Sequence, residues 1–184
     1  MDPRWRTHWT RGLRTLLTGA LLLGALAPAA AALTTAALLD SLQHKAFDYF
    51  WLEANPSNGL IKDRSTPSSP ASIAAVGFGL SAICIGIDHD WITRAAGRER
   101  VLTTLETFWN GPQGSAENGT IGYRGLFYHF LDMNTGTRVW DCELSTIDTA
   151  LLLAGVLDAK QYFTGGDPDE VQIRALADSL YRRA

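Results

Sequence analysis

The segment Trp140-Asp141-Cys142-Glu143-Leu144-Ser145-Thr146-Ile147-Asp148 brings three carboxylates and an indole together just ahead of an apolar run. Paired carboxylates serve as acid and base in glycoside cleavage, where aromatic side chains also stack on sugar rings. A carboxyl group set among an indole and apolar side chains is expected to have a raised pKa, as a general acid needs. Glu143 and Asp148 are therefore the catalytic candidates, and Trp140 and Asp141 are candidates for holding substrate. Each has an alternative. Ser145 followed three residues later by Asp148 reads as a capping box, so Asp148 is either a helix cap or a catalyst. Asp141 either positions substrate or ends a hairpin in solvent. Glu143 precedes the cap and has no capping duty.

A second polar cluster, Lys62-Asp63-Arg64-Ser65-Thr66, lies far upstream. Asp63 and Arg64 can hydrogen-bond sugar hydroxyls or pair with each other. A third group, Phe127, Tyr128 and His129, sits on a β-type run; Tyr128 and His129 are further substrate-binding candidates, and packing is the alternative. No His/Cys/carboxylate spacing supports zinc, and there is no G-x-S-x-G, P-loop or G-x-G-x-x-G. Neither metal nor cofactor is expected.

Five helices must position these groups. Those over 35–54, 94–109 and 168–184 carry an apolar stripe opposite charged residues, and each expects one face in water. The helices over 70–88 and 146–163 are apolar nearly all round and are expected to be buried all round. Ser69 is read as the cap of the former, with Pro70 at its first position. The order exposed, buried, exposed, buried, exposed describes two layers of an α/α toroid. A four-helix bundle would make every helix amphipathic, and no fixed-period repeat supports a solenoid. The links before the two buried helices are long, 55–69 and 110–145, while those after them are short. Both long links thus fall at the N-terminal ends of the inner helices, where loops of such length are functional. The second contains a predicted hairpin, Leu126–Leu131 returning through Asn134-Thr135-Gly136 to Thr137–Trp140.

The 184 residues carry a net charge of −3, 46% hydrophobic residues and two cysteines, a globular composition that excludes disordered, collagenous and disulfide-scaffold classes. Residues 1–32 read as a signal peptide: Arg4, Arg6, Arg11 and Arg14, then a Leu-rich core, then an Ala-rich end. An uncleaved anchor is the alternative, disfavoured because the core is shorter than the ~20 residues of a spanning helix. Export places the remainder in the periplasm or outside the cell, with no membrane contact after cleavage. That remainder holds 12 basic and 18 acidic residues, so nucleic acid is not an expected partner and a neutral ligand is. Cys84 lies inside an apolar helical run and is expected to be a buried free thiol, although pairing with Cys142 is chemically open to an exported chain.

Four blocks in order resemble the glycoamylase-like family: Asp63-Arg64-Ser65; Ala71–Leu80; Gly125–Asp132; and Glu143–Gly155, with its Glu-Leu-Ser-Thr-Ile-Asp-Thr-Ala-Leu-Leu-Leu-Ala-Gly sequence. That family includes the bacterial endo-β-1,2-glucanases of glycoside hydrolase family 144. The resemblance covers about residues 38–183. It implies an all-α (α/α)6 toroid with one inserted β-hairpin and an exported, metal-free, inverting glycoside hydrolase. It also implies a β-glucan substrate, with β-1,2-glucan the expected linkage. By motif, Glu143 and Asp148 carry over as acidic-cleft residues, and Asp63 and the Phe127–His129 hairpin as cleft lining. Such a toroid has twelve helices and this chain supplies about five. Residues 33–184 are therefore expected to be its N-terminal part, completed by downstream sequence or by a separately encoded C-terminal half. The alternatives are a non-catalytic sugar-binding remnant and a helical scaffold.

Overall fold

A computed structural model describes residues 34–184, so the expected signal peptide lies outside the described residues. The elements run α1 (Thr35–Leu52), β1 (Ala71–Ser72), α2 (Ile73–Asp88), α3 (Arg94–Asn110), β2 (Gly122–Tyr123), β3 (Leu126–Tyr128), β4 (Phe130–Leu131), β5 (Leu144–Ser145), α4 (Thr146–Tyr162) and α5 (Pro168–Arg183). Among the described residues no helix is long and apolar enough to cross a membrane. From Leu39 onward the chain forms one unit.

The apolar helices α2 and α4 lie against each other, and α3 and α5 pack together outside them. Ile73, Val76, Leu80 and Ile83 of α2 meet Leu152 and Val156 of α4 in one core with Val101, Leu105 and Phe108 of α3 and Ile173 and Leu180 of α5. The α2–α4 contact is close enough that a Cβ at Gly155 would fall on the Gly77 carbonyl oxygen. A Cβ at Gly77 would in turn meet the Leu151 carbonyl. Inner and outer layers thus appear as the periodicity predicts, with one correction. The inner helices are not buried all round: Phe78 and Ile85 of α2 and Ile147 of α4 are exposed, Ile147 by 68%. Phe78 and Ile85 border a groove whose other wall is Gln43, Ala46, Phe47 and Phe50 of α1, which covers them only in part.

Two local expectations change. Helix α2 begins at Ile73 rather than Pro70, with Ser72 as its cap. The preceding residues are held in extended backbone by pairing: Asp63 N–H donates to Pro70 O, Ser72 N–H to Ile61 O, and Ala71 pairs with Leu131. The hairpin turn falls where expected, with Asp132 N–H donating to Thr137 O and Gly136 N–H to Asp132 O. The strand entering it, however, is broken at His129. On one side β3 pairs with β2 and β5; on the other β4 pairs with β1. Helix α4 is capped by Ser145, as its sequence predicts. Both cysteines are free, and burial pushes the Cys84 thiol up to about 12.

The short link into α5 is clamped by Glu170, which is buried. Its carboxylate accepts from Arg94 Nε at 2.8 Å and Arg94 Nη2 at 3.1 Å, and from the Gly165 amide at 2.6 Å. Arg94 first, then burial opposing it and the Gly165 amide, leave the Glu170 pKa below its ordinary value. A depressed carboxylate contributes stability that is present above its unfolded pKa and lost as pH falls through the folded one. Glu170→Gln should therefore cost about 1–3 kcal/mol at pH 7, and the gap to wild type should close as pH drops below about 4. Urea midpoints across pH check this; a pH-independent difference would show that the charge is not what the clamp uses.

Candidate functional site

His129 is where the N-terminal ends of the two inner helices meet. Its N–H donates to Glu143 O at 3.1 Å, and its carbonyl accepts from the N–H of Ile73, the first residue of α2, at 3.2 Å. Nearby, β3 is locked to α4 through Thr149. The buried Thr149 hydroxyl donates to Ser145 O at 2.6 Å and accepts from Phe127 N–H at 3.0 Å. The two long links are also stitched to each other, because Ala71 pairs both with Lys62 and with Leu131, and Leu131 with Arg138. The expectation that both links gather at the N-termini of the inner helices is what the backbone shows.

On this frame the imidazole of His129 faces two carboxylates. Nδ1 lies 2.8 Å from Glu143 Oε1 and 3.8 Å from Asp148 Oδ2. The ring stacks on Phe130, centroids 3.8 Å apart and planes at 15°. An ionised carboxylate only accepts, so Nδ1 carries the hydrogen in this pair. The Glu143 side chain is 64% exposed. Its own backbone N–H, and then the His129 hydrogen bond, hold its pKa below the ordinary glutamate value. The expected raised pKa is corrected for this residue: Glu143 leaves the apolar run before the helix begins, so donors surround it and apolar groups do not. It is a carboxylate at neutral pH, suited to take up a proton.

Asp148 occupies the third position of α4. Its N–H donates to Ser145 Oγ at 3.1 Å, and the Ser145 hydroxyl donates back to Asp148 Oδ2 at 2.5 Å. Ser145 thus caps α4 as the capping reading expects, with the Asp148 side chain held by the Ser145 hydroxyl rather than by the Ser145 backbone N–H. One oxygen each of Asp148 and Glu143, together with His129 Nδ1, lie within 4.8 Å of one another. That is shorter than the ~6.5–9.5 Å separation of an inverting acid–base pair, which leaves room for water between the groups. Glu143 and Asp148 therefore do not fit as that pair together. The three atoms could also gather a cation, but two are engaged with each other and the third with the Ser145 hydroxyl.

The remaining candidates divide. Tyr128 is corrected from substrate contact to packing: it is buried, with the Arg138 guanidinium 4.5 Å over its ring. The β3 strand is central in its sheet and packs on α4, which places Tyr128 in the interior. Asp63 and Arg64 take the pairing alternative, Arg64 Nη2 lying 2.6 Å from Asp63 Oδ2, with Arg64 largely exposed. Trp140 is 68% exposed and touches Phe130 edge-on at 5.6 Å. Trp140 and Asp141 are consecutive non-glycine residues in the left-handed region, with φ of 53° and 25°.

Trp140 also edges a cleft of about 600 Å³ whose walls come from both long links and the end of α1. Glu53, Lys62, Asp132 and Asn134 line it, whereas Glu143 and Asp148 do not. The cleft and the carboxylates are thus neighbouring features joined by the row His129–Phe130–Trp140. Sequence reasoning missed Glu53 and Asp132 as cleft residues. Asp132 reads as turn chemistry, and it does accept from Asn134 N–H, Thr135 N–H and the Thr135 hydroxyl, all on Oδ1.

No family model matches the chain. Over 157 residues, 82% of this chain, it is 32% identical to the exo β-1,2-glucooligosaccharide sophorohydrolase (non-reducing end) of Parabacteroides distasonis, of which it covers 20%. Among solved structures, a β-1,2-glucanase from Parabacteroides distasonis superposes with a TM-score of 0.72 at 30% identity, over 82% of this chain and 21% of that one. A glucoamylase-like protein from Bacteroides uniformis does so with a TM-score of 0.72 at 31% identity, over 83% of this chain and 36% of that one. The chain thus spans about a fifth of its curated relative's length. The five helices share the fold of part of a glucoamylase-like α/α toroid, and in sequence and fold the chain is similar to the N-terminal portion of these relatives, of which the Parabacteroides proteins act on β-1,2-glucans.

Proposed function

We propose that this chain is the N-terminal portion of an exported glycoside hydrolase that cleaves β-1,2-glucan with inversion. The observation that carries the reading is the Glu143–His129 pair, placed where the N-termini of both inner helices converge and held as a carboxylate at neutral pH. Glu143 takes the role of general base, accepting a proton from the attacking water. Asp148 positions the start of α4 and the Ser145 hydroxyl beside it. Trp140 and Asp141 hold sugar, with Asp63 and Arg64 at the rim of the same end. The general acid comes from a part of the domain outside these residues, in keeping with the fraction of the relatives that the chain spans. The basic start and Leu-rich core of residues 1–32 support export to the periplasm or medium.

The test is product analysis with linear β-1,2-glucan, using the chain alone and the chain with its downstream portion supplied. Reducing ends should appear in the second case, with the α-anomer formed first, since inversion at a β-linkage gives it. Release of the β-anomer would overturn inversion, and no release in either case would overturn hydrolysis. A sugar-binding remnant is the second reading, favoured by the closeness of Glu143 and Asp148, whose nearest oxygens lie within 4.8 Å of one another and leave no room for a water between them as an inverting pair needs. It predicts glucan binding without reducing ends.

A further inference from the structure

We propose that the cleft between Trp140 and the Glu53–Lys62 pair is a second saccharide subsite, set apart from Glu143 and built for an uncharged glucosyl unit; this rests on the glucan reading above. Its volume, about 600 Å³, falls within the ~300–1,000 Å³ of small-molecule sites. The chemistry of its walls suits a neutral polyol. Lys62 Nζ lies 2.6 Å from Glu53 Oε2, so the charges cancel locally, yet two ammonium hydrogens and Glu53 Oε1 remain for other partners. Both side chains are about a quarter exposed, which keeps the pair reachable from the cleft. Asp132 spends Oδ1 on its own turn and keeps Oδ2 outside those bonds. An anion would meet two carboxylates here, and an apolar ligand would strand the ion pair.

The indole supplies the apolar platform that a pyranose face needs. Trp140 is 68% exposed, and its backbone sits, with that of Asp141, in a region that non-glycine residues rarely adopt. Such strain costs of order 1–3 kcal/mol per residue and is retained where the surroundings enforce it, commonly at binding sites. The fold does not spend this strain on burying Trp140, whose one aromatic contact is the edge of Phe130. The row His129–Phe130–Trp140 then gives a linear oligosaccharide a continuous track from the Glu143 carboxylate to the cleft. The subsite would therefore read length: a disaccharide reaches one feature, and a longer chain reaches both.

The experiment titrates the full chain, by calorimetry, with linear β-1,2-glucooligosaccharides of two and six units and with cellohexaose. The β-1,2 hexasaccharide should bind more tightly than the disaccharide. Lys62→Met should weaken hexasaccharide binding about tenfold while leaving the disaccharide nearly unaffected, and Trp140→Ala, which removes the platform next to the main site as well, should weaken hexasaccharide binding at least tenfold. Trp140→Phe should recover most of the affinity, and unchanged circular dichroism would exclude unfolding. Hexasaccharide binding that ignores both substitutions overturns the subsite and leaves the glucan reading intact. Cellohexaose bound as tightly through Trp140, with no release from β-1,2-glucan, keeps the subsite and overturns the linkage. Absence of hexasaccharide binding overturns the subsite, while the reducing-end assay judges hydrolysis separately.

Discussion

Gly155→Val should prevent the chain from accumulating as a folded protein, and Gly155→Ala should cost about 3 kcal/mol, at the upper end of what inserting one methyl into a packed interior does. The reason lies in what faces the site. A Cβ on Gly155 meets the carbonyl oxygen, carbonyl carbon and Cα of Gly77, all backbone atoms of the facing helix. A side chain could rotate away; a helix backbone moves only as a body. Gly77 meets the Leu151 carbonyl and Leu152 Cα in the same way, so separating α2 from α4 loosens the whole inner layer. Glycine inside a helix itself costs about 1 kcal/mol relative to alanine, which makes two of them facing each other a sign of enforced close approach. Alanine recovers that propensity and still loses, because the collision is larger. With a urea m-value of ~2 kcal/mol/M, a 3 kcal/mol loss lowers the midpoint by ~1.5 M. Gly166→Ala is the internal control: its Cβ would meet nothing within 4 Å, so it should shift stability by less than about 1 kcal/mol in either direction. Equal midpoints for Gly155→Ala and Gly166→Ala would show that the inner helices do not need contact at this point.

That contact illustrates what was legible in the residues and what was not. Helix α4 announces itself through Ser145, Asp148 and an apolar run, and all three are local signals. The layered order also follows from periodicity, because amphipathic and wholly apolar helices belong in different layers. The failures are all non-local. Pro70 suits a first helical position, yet strand pairing between Ala71 and Leu131 keeps this stretch extended and delays α2 to Ile73. Tyr128 reads as a substrate candidate on a hairpin and is buried, because Arg138 lies over its ring and β3 packs on α4. Phe78 and Ile147 look like core, yet both are exposed, because burial is decided by what packs on a helix face and not by the face itself. Glu143 and His129 were each visible as polar residues near the right end; that Glu143's own backbone N–H, and then the His129 hydrogen bond, lower rather than raise its pKa depends on the local backbone and on the strand break at His129.

With the downstream portion supplied, Glu143→Gln should lower kcat on β-1,2-glucan by about 10³-fold, within the 10²–10⁴ that a positioned general base supplies, with little change in the disaccharide's affinity. The amide keeps the size of the side chain and can still receive a hydrogen bond from His129, so loss of rate with retained binding isolates proton uptake from shape. A fall of less than tenfold would remove Glu143 from the chemistry. His129 then offers a graded companion, since it acts through Glu143 and not on substrate in this reading. His129→Ala removes the 2.8 Å hydrogen bond, and His129→Asn can restore a donor near the position of Nδ1. The alanine variant should lose about 10- to 100-fold in kcat, and asparagine should recover most of it. A second readout follows from the sign of the pKa shift. Base activity is lost as pH falls through the Glu143 pKa, which the His129 bond lowers. Without that donor the pKa rises, so the acid limb of the rate profile should move to higher pH in His129→Ala and return toward wild type in His129→Asn. A purely structural His129 would reduce the amount of folded enzyme without displacing that limb, and an acid limb that stays in place while kcat falls would therefore assign His129 to the scaffold.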